Sequence, residues 1–255
     1  MRTDIACVLN GIGIDELDNR IYVEDIREEV TDKQETMQRA LYGLFPIGPP
    51  RRESVTIKIQ FMIKEKDRAE RMTVIQRVRG WAVQGWFSMN TRPGQRIYVF
   101  CTKATGFETF DWKARMELEL TAYGEAFWQD ATPVSVSSAS AVSTATVSIT
   151  PSGTQDTFLE AQIAPSSGTL TSVSITAGGR VLALSGLSVT KQTPLMIFYD
   201  EGHILHIESG GVSQLSRRSQ ESADDLILTA GQSNEVSMTF GRACTYTIKA
   251  RGLWK

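Results

Sequence analysis

The chain has 255 residues, 41% of them hydrophobic and 22% charged, with a formal net charge of −2. That length allows one large domain or two moderate ones, and the near-neutral balance excludes the basic footprint of a phosphate-backbone binder. No segment approaches the roughly 18 consecutive apolar residues that cross a bilayer.

The opening residues, Met1-Arg2-Thr3-Asp4-Ile5, put an acid where a secretion signal needs a basic and then an apolar run, so synthesis and folding in the cytoplasm are expected. Cys7, Cys101 and Cys244 are scattered and unpaired in sequence. An odd, unclustered set argues against a disulfide framework and against a zinc site, and predicts three buried thiols.

The two halves differ in chemistry. Residues 1–131 carry 19 Lys+Arg and 20 Asp+Glu, whereas residues 132–255 carry 8 and 9. The second half opens on a run rich in Ser, Thr, Ala and Val from Thr132 to Thr150, just after Phe127-Trp128. Two domains are therefore expected, at 1–131 and 132–255.

In the first, Thr31 to Glu53 lacks clear periodicity yet holds Leu41, Tyr42, Leu44, Phe45 and Ile47. Loops this long are uncommon in compact domains. Either the stretch folds back on its own core, or a neighbouring subunit covers its apolar residues. Val55, Ile57, Ile59, Phe61 and Ile63 then alternate with polar residues, the period of a strand with one buried face. Asp67 with Glu70 three residues on forms a capping-box pattern and predicts a helix from Arg68 to about Val83. Its expected apolar stripe is Ala69, Met72, Ile75, Val78 and Ala82, with Arg71, Arg77 and Arg79 outside. Arg92-Pro93-Gly94-Gln95 reads as a type II turn, because proline fixes φ and glycine accepts a positive one. Ile97–Thr102 follows as a strand, and Trp112–Ala122 alternates with Ala114, Met116, Leu118 and Leu120 on one face. A sheet with one long helix is an α+β domain.

The second half reads as strands at Thr146–Thr150, Phe158–Ile163, Leu170–Ala177, Arg180–Leu184, Leu195–Tyr199, Ile204–Glu208, Leu226–Thr229, Val236–Phe240 and Thr245–Ala250. Gly178-Gly179 between two alternating runs signals a tight hairpin. Many short strands without a helix point to a β-sandwich, making the whole chain mainly β.

Catalytic patterns are scarce. His203 and His206 lie three apart, which on a strand sends them to opposite faces and prevents joint chelation. Asp200 and Glu201 read as solvated turn carboxylates. There is no G-x-S-x-G elbow or Walker loop, and Gly11-Ile12-Gly13 lacks the third glycine of a dinucleotide site. Arg71, Arg77 and Arg79 near Trp81 and Trp86 are interleaved with acids, the pattern of a solvated helix face. No enzyme, cofactor or metal is indicated.

Arg77-Val78-Arg79-Gly80-Trp81, Arg92-Pro93-Gly94-Gln95-Arg96-Ile97-Tyr98-Val99, Phe110-Asp111-Trp112, Leu118–Tyr123 and Phe127-Trp128 together resemble, in their order, the N-terminal domain of siphophage distal tail proteins. Leu228–Val236 and Tyr246–Trp254 are similar to the late turn and closing strand of that family's galectin-like sandwich. The resemblance implies a homo-hexameric ring built by the N-terminal domains, joining the tail tube protein to a tail tip or tail-associated lysin protein. DNA would pass through its channel without specific binding, and the ring would sit in the virion tail tip after assembly in the host cytoplasm. Leu41, Tyr42, Leu44, Phe45 and Ile47 would then belong to an arm gripping the next subunit. The same layout would serve a contractile tail, a tailocin or a gene transfer agent. The alternative is a carbohydrate-binding adhesion module for the host surface, for which Tyr199 and Trp254 are the candidate contacts; a tail-associated hydrolase has no motif to support it.

Overall fold

A computed structural model describes residues 6–33, 37–40, 43–46, 51–110, 112–123, 126–200 and 204–255, with 32–53 and 107–110 described in backbone only where they are covered. The protein is mainly β. Its chain divides into two compact units, Met1–Trp128 and Gln129–Lys255.

Unit 1 begins with β1 (Cys7–Leu9), β2 (Ile12–Gly13) and the single-turn α1 (Ile14–Leu17). Then come β3 (Ile21–Lys33), β4 (Met37–Ala40), β5 (Gly43–Pro46) and β6 (Arg51–Lys64). The long helix α2 (Arg68–Trp81) precedes β7 (Gly85–Met89), β8 (Gln95–Phe110) and β9 (Lys113–Tyr123). The main sheet runs β2-β1-β7-β8-β9-β6-β3, with antiparallel pairing throughout this path.

Alternation dictates which face of that sheet is wet. Val55, Ile57, Ile59, Phe61 and Ile63 on β6 are fully buried, and Ala114, Met116, Leu118 and Leu120 on β9 join them. Removing each large side chain from water contributes roughly 1.5–3 kcal/mol. The turn at Arg92–Gln95 has Gly94 at φ +74°, and the Gln95 N–H donates to the Arg92 carbonyl at 3.2 Å, the geometry expected from Pro-Gly. Both β8 and β6 are longer than the sequence pattern suggests.

α2 starts at the expected cap, where the Asp67 carboxylate accepts from the Glu70 N–H at 2.9 Å. The reciprocal half of the capping box is replaced: Glu65, not Glu70, accepts from the Asp67 N–H at 3.0 Å. The buried stripe is also rotated from the expected one. Arg71, Val74, Ile75, Val78 and Trp81 are buried, whereas Met72 is 44% exposed and Ala69 lies outside. Arg71 is tolerated inside because its guanidinium donates to the Glu65 carbonyl at 2.7 Å. Trp81 fills the last turn and donates its indole N–H to the Ile12 carbonyl at 2.9 Å.

In unit 2, β10 (Trp128–Asp130) marks the boundary and is followed by β11 (Val134–Ser137) and β12 (Val142–Ile149). β13 (Thr157–Phe158), β14 (Glu160–Pro165), β15 (Leu170–Ala177), β16 (Arg180–Val189) and β17 (Leu195–Tyr199) come next. The remainder is β18 (Leu205–Ser209), β19 (Val212–Ser213), a 3-10 turn at Leu215–Arg217, β20 (Ile227–Leu228), β21 (Asn234–Ala250) and β22 (Leu253–Trp254). Where the sequence suggested two late strands there is one, β21. Its first half lies between β12 and β15, and its second half between β11 and β14. The register with β12 slips between Thr239 and Cys244, so β21 changes neighbours around Gly241-Arg242-Ala243. This one strand links both sheet halves of the sandwich. Their inner faces bury Ile163, Val173, Ile175, Ile197, Ile207 and Ile248, among others. At the β15–β16 turn, Gly178 and Gly179 take φ +57° and +74°, the doubled positive φ of a tight hairpin.

Candidate functional site

The stretch expected to be an aperiodic loop is largely paired strand. β9 supports β6 only as far as Ser54, which faces Tyr123. Beyond it β3 and β6 continue as a two-stranded ribbon through Asp32↔Arg52 and Lys33↔Arg51. The separate hairpin β4–β5 follows, with Met37↔Pro46, Gln38↔Phe45, Arg39↔Leu44 and Ala40↔Gly43 in register. Of the candidate interface residues, Leu44 and Phe45 lie on β5; Leu41, Tyr42 and Ile47 fall outside the described residues. The sequence hides this hairpin because neither Met-Gln-Arg-Ala nor Gly-Leu-Phe-Pro alternates apolar with polar.

The outer face of the unit 1 sheet, opposite the buried alternation, has two zones. Across β7, β8 and β9 runs a row of rings: Trp86 meets Tyr98 edge-on at 5.3 Å, Tyr98 meets Phe100 at 5.6 Å, and Phe100 meets Tyr123 at 6.1 Å. The Arg96 guanidinium covers Trp86 at 4.0 Å. Tyr123 is 62% exposed and Phe100 39%. Beside the row lies a ladder of charges. Lys103 donates to Glu117 and Glu119, both at 3.0 Å, Lys58 to Glu29 at 2.9 Å, and Gln60 to Glu117 at 3.1 Å. The Lys103 hydrogen bond is the main reason the Glu117 carboxyl sits below its ordinary range.

Sequence reasoning missed the residue that draws its own motifs together. Glu28 faces Ile57 in the register and so points to the buried side of β3. Its carboxylate accepts two hydrogen bonds from Arg92, at 3.0 and 3.1 Å, and one from the Trp128 indole N–H at 3.0 Å. The Arg92 guanidinium also lies 5.0 Å from the Trp128 ring centre. A more deeply buried acid, Asp18, is clamped by Arg20 at 2.7 and 2.8 Å and by Arg77 at 3.1 Å. The Arg20 hydrogen bonds, and then the charges of Arg20 and Arg77, lower its pKa to about 2. Arg20 continues to Glu65 at 2.7 Å.

In unit 2, Tyr199 stacks on Phe158 with ring centres 4.4 Å apart and accepts from the Leu226 N–H at 3.1 Å. Burial pushes its hydroxyl up to about 12. Trp254 donates to Asp130 at 2.8 Å. Both rings are half-buried. His206 stacks on Phe198 at 5.1 Å and lies 3.2 Å from Asp200; His203 is outside the described residues. The cysteines are free, but Cys101 is half-buried rather than buried. Burial raises the Cys7 thiol to about 12 and Cys244 to about 11. Among the described residues no group of three or more His, Cys, Asp or Glu could hold a metal, and no helix is long and apolar enough to cross a membrane. The arrangement offers ring faces, a two-stranded ribbon and self-neutralised charge.

No family model matches the chain, and no curated protein does. Among solved structures, the fold is similar to the Dit protein of phage SPP1, described as a paradigm of the hub adsorption apparatus in phages that infect Gram-positive bacteria. The likeness has a TM-score of 0.66 at 10% sequence identity and covers 97% of this chain and 98% of that one.

Proposed function

We propose that the protein is a non-enzymatic structural subunit of a phage tail tip, a distal tail protein whose first unit builds a hexameric ring. The observation that carries the reading is the likeness to SPP1 Dit over nearly the full length of both chains, through both units in order. The ribbon beyond Ser54, which among the described residues pairs with no third strand, and the exposed aromatic row support it, since a closed ring needs two different patches on each copy. The ring joins the tail tube protein on one side to a tip or tail-associated lysin protein on the other. The genome passes through its channel without specific contacts, as the net charge of −2 favours. The protein is assembled in the host cytoplasm and carried in the virion. Tyr199 and Trp254, each half-buried with its polar atom bonded inside unit 2, support a scaffold role for the sandwich over a saccharide platform.

Sedimentation and negative-stain microscopy of the purified chain, alone and mixed with its tail tube protein, test the reading. Sixfold rings are expected in at least the mixture. A chain that stays monomeric in both samples, and is missing from purified virions by mass spectrometry, would overturn it.

A further inference from the structure

We infer that the segment Arg218–Ala223 is a releasable guard over β16, whose bare edge otherwise pairs with β16 of a second copy of this chain. Both parts lie in unit 2, so the inference stands apart from the ring reading of unit 1.

β16 ends its sheet: among the described residues, β15 is the only strand that pairs with it. Edge strands invite pairing with another chain, and proteins blunt them with charges, proline or a bulge. β16 reads Arg-Val-Leu-Ala-Leu-Ser-Gly-Leu-Ser-Val, with no proline and with Arg180 at its start as the only charge. A bulge protects its far end, where Gly186 takes φ +67° and the register with β15 slips between Ser185 and Val189. The run from Val181 to Ser185 has no such device. Leu182 and Leu184 point into the core, and Val181 is 41% exposed.

The guard sits on that run. Arg218 makes a single bridge to Leu184. The Ala223 N–H donates to the Val181 carbonyl at 2.8 Å, and the Ser219 N–H donates to the Ala183 carbonyl at 2.9 Å. The Ser222 hydroxyl accepts from the Ala183 N–H and donates to the Ala183 carbonyl, both at 2.9 Å. Exchanging both bonds with one residue is what the opposite member of a hydrogen-bonded antiparallel pair does. Ser222 therefore occupies the place of a strand centred on Ala183. A second β16 centred on its own Ala183 makes the same two bonds. That register sets Val181 against Ser185 and Leu182 against Leu184, so leucines meet on the inner face and no like charges are opposed. The pairing is self-complementary and twofold, so it closes with two copies.

The guard is held by polar contacts alone. Between Leu215 and Ser222 the only apolar side chain is Leu215, which is 40% exposed. Arg218 donates to the Ser222 and Ala223 carbonyls at 3.2 and 2.9 Å and to Asp224 at 2.7 Å. A segment with so little buried apolar surface opens at small cost while the strands beneath it stay folded.

The test is the full chain carrying Arg218→Ala and Ser222→Ala, compared with the parent by hydrogen exchange and by sedimentation over a dilution series. At high dilution the Ala183 amide should exchange roughly tenfold faster than in the parent, the scale of one net hydrogen bond. As concentration rises, the variant should reach roughly double the parent's sedimenting mass, with exchange at Ala183 slowing again. Adding Ala183→Pro removes the N–H that a second β16 needs. It costs no bond to β15, because that N–H points to Ser222. The triple variant should sediment as the parent does. Faster exchange without added association would overturn the inference. So would association that Ala183→Pro leaves in place, which is the behaviour of a misfolded chain, and so would unchanged exchange in the double variant. The ring reading is decided separately, by the assembly of the parent.

Discussion

Glu28 is the acid whose removal should be felt furthest from its own position. Glu28→Ala leaves the indole N–H of Trp128, a fully buried side chain, without an acceptor, and takes the two-pronged partner from Arg92. An orphaned buried donor costs about 1–3 kcal/mol. The ion pair is partly exposed, with side-chain accessibilities of 28% and 17%, and adds about 0.5–1 kcal/mol. The expected loss is therefore about 1.5–4 kcal/mol. Glu28→Gln keeps an acceptor oxygen and should cost about 1 kcal/mol. Four of the five tryptophans lie in residues 1–128, so fluorescence-monitored urea unfolding reports mainly on unit 1. A double-mutant cycle of Glu28→Ala with Trp128→Phe should show a coupling of about 1–2 kcal/mol. An alanine variant no less stable than the glutamine variant, or a coupling near zero, would refute the assignment.

Asp18 gives a pH dependence whose sign is fixed by its lowered pKa. Its folded value of about 2 lies below the ordinary 3.8, so its contribution is present above about pH 4 and is lost as pH falls through about 2. The difference is worth about 2 kcal/mol, and acid unfolding of Asp18→Asn should lack that part of the pH dependence; identical acid profiles would contradict the Arg20–Asp18–Arg77 clamp. At the β15–β16 turn, a Cβ on Gly178 would meet the Ile227 carbonyl at 2.4 Å, whereas one on Gly179 meets nothing within 4 Å. Gly178→Ala should therefore cost at least about 2 kcal/mol, and Gly179→Asn under about 1 kcal/mol because asparagine tolerates positive φ. Thermal melting of the two variants ranks them, and equal losses would show that the close approach does not matter. Leu44→Asp with Phe45→Asp should leave the monomer's circular dichroism and melting unchanged while abolishing ring assembly, as read by sedimentation. Rings surviving in that variant would remove the hairpin from the interface.

What the sequence shows best is whatever a single local period controls. β6 and β9 alternate with one face in the core, so Val55 to Ile63 and Ala114 to Leu120 are readable residue by residue. The helix is readable from its Asp67 cap, but its rotation is not. Hydrophobicity puts Met72 inward and Arg71 outward, whereas a carbonyl of Glu65 is available to take the guanidinium. β21 reads as two strands because Gly241-Arg242-Ala243 interrupts the alternation where the strand changes neighbours. The Glu28 site has no local signal, since its partners Arg92 and Trp128 are 64 and 100 residues away in sequence. The aromatic row is hidden for the same reason: Trp86, Tyr98, Phe100 and Tyr123 come from three strands, and only their pairing makes them neighbours.

β21 also sets the order in which unit 2 can be made. Its ladder is closed by residues far upstream: Ser137 meets Thr247 across 110 residues, Thr146 meets Ser237 across 91, and Ala164 meets Thr245 across 81. A chain emerging from the ribosome therefore carries β11 to β18 with no central strand to join them until the segment through Ala250 has cleared the exit tunnel. The Ser- and Thr-rich strands at the start of the unit, with little apolar surface to expose, suit that wait.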